Sequence, residues 1–161
     1  MKIAEKLKEL GIELPGFNLP AANYSPAVRC GDTIFTAGQT PKSGGKLVLT
    51  GKLGQQVTIE QGYDAVKICA LNCLTIIDHY AGGLDNVAAI MKMTVFLNTT
   101  EDFADHAKVA NGASDLLVSI FGKEGGCPAR SAVGTTSLPG NAPCEIEMIV
   151  KLKDADIPAK G

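Results

Sequence analysis

The 161-residue sequence predicts one α+β domain: a single mixed β-sheet with two long helices on one face, preceded by a short N-terminal helix. Three observations carry this. Two stretches of about twenty residues repeat apolar side chains every three or four positions. Short β-branched runs bounded by Gly, Pro, Asn and Asp flank and separate them. The resulting order is β-β-β-α-β-α-β-β, with no internal repeat, linker or low-complexity tract. A chain this long fits one domain, divided as an N-terminal helical extension (1–20), a core (21–153) and a tail (154–161).

Ile3, Leu7 and Leu10 stand at helical spacing before Gly11, which makes a short amphipathic helix. Pro15, Gly16, Pro20 and Pro26 then favour an irregular approach. Ala27–Cys30 and Thr33–Thr36 flank Gly31-Asp32 as a hairpin. Gly38 to Lys46 reads as a loop and Leu47–Thr50 as a short strand. Thr58 with Gln61 is a capping-box pair. Behind it Ile59, Tyr63, Val66, Ala70, Cys73, Ile77 and Tyr80 mark a long helix that Gly82-Gly83 ends. Val87–Leu97 is apolar on both faces, as a central strand is. A second helix is predicted from Phe103 to Phe121, then a loop ending at Gly126, then strands Arg130–Ser137 and Cys144–Leu152.

Fifteen Lys plus Arg against seventeen Asp plus Glu give a net charge of −2, and Trp is absent. Neither a basic excess nor a set of stacking aromatics is present, which argues against a nucleic-acid binder. Charges interrupt the first ten residues too often for a signal peptide, and no run approaches the ~20 apolar residues of a membrane span. The expectation is a cytoplasmic protein that meets no membrane. Five cysteines (Cys30, Cys69, Cys73, Cys127, Cys144) at irregular spacing do not form a disulfide framework. Cys69 and Cys73 share a helix face, but nothing supplies the remaining ligands of a metal site; they read as small buried hydrophobes. His79 reads as a helix cap or surface residue. Neither it nor His106 has a Ser or Cys nucleophile at a recognisable spacing, and no phosphate-binding glycine loop is present.

The last two strands hold the informative polar residues. In the final strand Cys144, Ile146, Met148, Val150 and Leu152 alternate with Glu145, Glu147, Ile149 and Lys151, so the wholly apolar face packs on the helices and Glu145 and Glu147 point away. Arg130 is one of only two arginines, and arginine suits a carboxylate held by two parallel hydrogen bonds. Burying Arg130 among Ile146, Met148 and Val150 is costly. The favoured register therefore pairs Gly134 with Glu145 and Arg130 with Ile149. It leaves a slot floored by Ala132 and Gly134, on the order of 14 Å between α-carbons. A small carboxylate-bearing molecule fits there, and a neighbouring subunit could equally supply one wall. The alternative, that Arg130 is a solvated residue at a strand start, stands level on pattern alone.

Pro128-Ala129-Arg130-Ser131-Ala132-Val133, Leu138-Pro139 and Glu145-Ile146-Glu147 together resemble the Rid/YjgF family, the reactive intermediate deaminases formerly labelled endoribonuclease L-PSP. Gly31-Asp32-Thr33-Ile34-Phe35-Thr36-Ala37-Gly38-Gln39 and Met93-Thr94-Val95-Phe96-Leu97 support it, and the likeness runs from about Tyr24 to Leu152. The resemblance implies a chorismate-mutase-like fold, a homotrimer with clefts between subunits, and hydrolysis of 2-imino or enamino acids to 2-oxo acids and ammonia. It implies that Arg130 holds the substrate carboxylate and Glu145 positions the attacking water. It further implies that Tyr24, Gly38, Ala132 and, with a few residues inserted ahead of it, Asn111 line the cleft. No metal or cofactor is implied. The chain departs from the family pattern at Ala37, where Ser is common, at Ala132, where Cys is frequent, and in its N-terminal helix. The rival functions are a trimer that binds small 2-oxo acids without turnover, which Ala37 and Ala132 favour, and a ribonuclease, which the acidic balance disfavours.

Overall fold

The structure is a computed structural model and describes residues 1–160. α1 (Ile3–Glu9) buries Leu7 and is tied down where Ile3 N–H donates to Asp85 Oδ1 at 2.6 Å. β1 (Ala27–Cys30) and β2 (Thr33–Thr36) form the predicted hairpin. The strand expected at Leu47–Thr50 is instead half of a two-stranded ribbon, β3 (Lys42–Ser43) with β4 (Lys46–Leu47). Gly44 and Gly45 turn it at φ 58° and 79°, as a two-residue hairpin loop requires. α2 (Ile59–Tyr80) starts on the capping box: Gln61 N–H donates to Thr58 Oγ1 at 3.1 Å and Thr58 N–H to Gln61 Oε1 at 3.0 Å.

β5 (Val87–Asn98), α3 (His106–Gly126), β6 (Ala129–Thr135) and β7 (Cys144–Leu152) complete the chain. α3 begins three residues later than the periodicity predicts, and Phe103 packs on the core from the loop before it. The stretch expected as a loop ending at Gly126 is the last part of α3. The helix breaks step at Gly122, whose φ of 71° is open to glycine at no steric cost, and Gly125 and Gly126 are buried.

The sheet order is β1-β2-β7-β5-β6, with β5 and β6 parallel and every other pair antiparallel. Both long helices cover one face. Cys144, Ile146, Met148, Val150 and Leu152 all point into that layer, together with Ile34, Met93, Val95 and Leu97. The helices approach closely at Gly112, where a Cβ would stand 2.1 Å from the Tyr63 carbonyl oxygen, so no larger residue fits.

The final two strands are not neighbours. β5 lies between them, because α3 returns β6 parallel to β5 on its outer side. Met93 pairs with both Arg130 and Met148, and Val95 with both Ala132 and Ile146. Arg130, Ala132 and Gly134 therefore face the helices, while Glu145, opposite Phe96, faces the uncovered side. This corrects the expected pairing of Gly134 with Glu145. β6 is an edge strand, so its inward arginine escapes burial by reaching past the flank of α3.

Beyond the sheet's end, Asn98 is wholly buried and ties three loops. Its amide donates to Asn141 Oδ1 (3.1 Å) and the Ala142 carbonyl (3.2 Å), and its oxygen accepts from Lys52 Nζ (2.9 Å). Asn98→Ala is expected to lower stability by about 2 kcal/mol, read as an earlier urea midpoint, because it strands buried polar partners.

Candidate functional site

Glu145 and Arg130 anchor two separate clusters. Past the end of β2 the chain stays beside β7, with Gln39 N–H donating to the Ile146 carbonyl (2.8 Å) and Ile146 N–H to that of Gln39 (3.0 Å). This lays Gly38 flat against Glu145. A Cβ at 38 would lie 2.0 Å from Glu145 Oε1, so glycine is what allows the carboxylate this position. Burial, and secondarily the neighbouring Glu147 charge, push the Glu145 carboxyl above its ordinary range. Among the described residues none hydrogen-bonds that carboxylate, so its lone pairs are open to solvent or ligand. It lines a cavity of about 510 Å³ with Gly38, Tyr24 and residues of the arm between α1 and β1.

The second cluster sits on the edge strand β6, separated from β7 by β5. Arg130 Nη1 donates to Asn111 Oδ1 (2.8 Å) and Ser114 Oγ (3.0 Å), both on α3. Among the described residues no carboxylate pairs with Arg130, and Nε and Nη2 have no partner. An arginine oriented by two neutral acceptors, with part of its fork free, is suited to gripping an anion. Ala132 follows it on the same side of β6, half-buried.

The structure thus brings Tyr24, Gly38 and Glu145 together, and separately Arg130, Asn111 and Ala132. The slot expected between Arg130 and Glu145 within one chain does not exist, since the two side chains leave opposite faces of the sheet. Two contributors were missed. Ser114 was legible in principle, three residues after Asn111 on one helix flank. Phe17 was not, because its contact partner His79 is distant in sequence; the two rings stack at 3.9 Å, which also replaces the expected surface role of His79.

A family model described as "YjgF/chorismate mutase-like, putative endoribonuclease" matches residues 4–152. The chain belongs to the YjgF/Rid family. α1 and the arm after it lie inside the matched region. Protein TCP17 of Trypanosoma cruzi is 39% identical over 153 residues, covering 95% of this chain and 96% of its own. The crystal structure of Atu1372, a protein of unknown function from Agrobacterium tumefaciens, superposes with a TM-score of 0.83 at 37% identity, over 94% of this chain and 93% of that one. A YjgF/Rid relative from Dermatophagoides farinae, 2-iminobutanoate/2-iminopropanoate deaminase, is 27% identical over 83% of this chain and 89% of its own.

Proposed function

We propose that the protein hydrolyses 2-imino or enamino acids to 2-oxo acids and ammonia, in clefts that two neighbouring copies of the chain build together. The observation that carries this reading is the complementarity of the two clusters: an arginine with part of its fork free on the edge strand β6, and an unpaired, partly buried carboxylate in a cavity at the start of β7. A head-to-tail contact that sets the β6 margin of one chain against the Glu145 cavity of the next completes a cleft and, repeated, closes a ring. Exposed Val28, Phe35 and Val133 on the uncovered sheet face give such a ring an apolar interior. Three subunits is the number that the family resemblance implies.

In this cleft Arg130 takes the substrate carboxylate, its guanidinium steadied by Asn111 and Ser114, and so fixes the imine carbon. Tyr24 and the backbone at Gly38 and Ala132 line the ligand. Glu145 accepts a hydrogen bond from water and draws off its proton as the oxygen attacks that carbon. The C=N electron pair moves to nitrogen, which takes up a proton. Glu145 then passes the hydroxyl proton of the resulting amino alcohol to its nitrogen, the C–N bond breaks to release ammonia, and the 2-oxo acid remains. A carboxyl whose pKa is raised holds a drawn-off proton more readily than an ordinary one and can return it. Five free cysteines suit a reducing compartment such as the cytoplasm.

The test is complementation between impaired chains. Arg130→Ala and Glu145→Gln chains are each expected to lose about a hundredfold or more of the activity on 2-iminobutyrate. Unfolded and reassembled in equal amounts, they are expected to recover about one quarter of wild-type activity, since a quarter of randomly formed clefts contain both intact residues. No recovery in properly assembled mixtures counts against a shared cleft. Ala37 and Ala132 keep one second reading in play, a metabolite binder. Thermal stabilisation by 2-oxo acids without imine consumption selects it.

A further inference from the structure

Building on the deaminase reading, we propose that the N-terminal arm fits this site to imino acids with bulky, uncharged side chains, aromatic ones above all. The arm spans residues 11–26 and lines the Glu145 cavity through Pro15, Phe17 and Tyr24 among others. It is held in place: Thr75 Oγ1 donates to the Pro15 carbonyl at 2.9 Å, and Phe17 lies flat on His79 (3.9 Å, 8°) and edge-on to Tyr80 (6.4 Å).

The cavity, about 510 Å³ and open to solvent on one side, is in the range that holds drug-sized ligands, roughly 300–1,000 Å³, and a four-carbon imino acid fills a small part of it. Pro15, Phe17 and Ile76 give the excess space an apolar lining. Two of its side-chain amide donors are engaged already. The Asn72 amide donates to the Thr40 and Lys42 carbonyls (3.0 and 3.1 Å), and Gln39 Nε2 to that of Gly38 (3.0 Å). Lys42 is the one cationic side chain in the lining and is exposed, while Glu145 repels a second carboxylate. A substrate side chain that enters beyond Glu145 therefore gains by being large and apolar, and an acidic one finds no buried counter-charge.

The experiment generates imines in situ from phenylalanine, leucine and 2-aminobutyrate with an amino-acid oxidase and follows their hydrolysis against semicarbazide trapping. The expected kcat/KM for the phenylalanine-derived imine exceeds that for 2-iminobutyrate by about tenfold. In Phe17→Ala, checked for folding by its melting temperature, that ratio is expected to fall towards one. Equal rates, or a preference for 2-iminobutyrate, overturn the inference and leave the deaminase reading intact; an unchanged ratio in Phe17→Ala overturns the role of the arm. Should no imine be hydrolysed, the deaminase reading fails by itself. Calorimetric titration with phenylpyruvate and 2-oxobutanoate then decides the cavity: tighter phenylpyruvate upholds the inference, and equal or weaker binding overturns it.

Discussion

Arg130→Ala is expected to reduce the acceleration of 2-iminobutyrate hydrolysis by about a hundredfold or more, as truncating one member of a desolvated charge pair does. The loss is expected without unfolding. The guanidinium bonds only to Asn111 and Ser114 on the flank of α3, and β6 is an edge strand, so the melting temperature should change little. Arg130→Lys keeps the charge but loses the planar fork, and an intermediate rate is expected from it. Unchanged hydrolysis in the alanine variant, measured in the coupled oxidase assay, removes carboxylate binding from Arg130.

Glu145→Gln is expected to cost about 10²–10⁴ in rate while making the protein more stable near neutral pH. The stability gain follows from the raised carboxyl. Burial, then Glu147, make the folded chain hold the Glu145 proton more tightly than the unfolded chain does. As pH climbs from the ordinary carboxyl value of 4.5 through the raised one, the folded state carries the extra proton and loses stability. Above that window the penalty is complete. Glutamine, carrying no charge, escapes it, so the advantage of the variant is present at pH 7 and disappears below about 4.5. Melting temperatures of both proteins across this range check the sign. A wild-type kcat/KM that declines as pH falls through the same window, with no such limb in the variant's residual rate, ties the carboxylate to proton removal.

Within single elements the sequence was a good guide. The Thr58 and Gln61 pair opens α2 as its spacing predicts, and the even positions of β7 are buried from Cys144 to Leu152. Both signals are local: a cap and a period of two. What the sequence did not convey was which strand lies beside which. Adjacent strands in a chain often pair, and that expectation placed β6 next to β7. The side-chain pattern of β6 offered no protest. Arg130, Ala132 and Gly134 on one side and Ser131, Val133 and Thr135 on the other are equally ambiguous, as suits an edge strand whose inner row escapes at the flank of α3. The same non-locality hid Phe17, whose place depends on a helix sixty residues away. Arg130 and Glu145 stood out by their chemistry, and Gly38 and Tyr24 by the family resemblance, as candidates; the partition of these four into two groups was not legible.

That partition has a consequence for the life of the molecule. On the proposed reading, a chain fresh from the ribosome owns both a grip for the anion and a handler for the water, yet cannot apply them to one substrate. It is born latent, and competence arrives only when copies find one another. Expression level and dilution would then set the onset of chemistry as surely as any inhibitor, and one faulty chain in a closed assembly would disable a centre it shares with a sound neighbour.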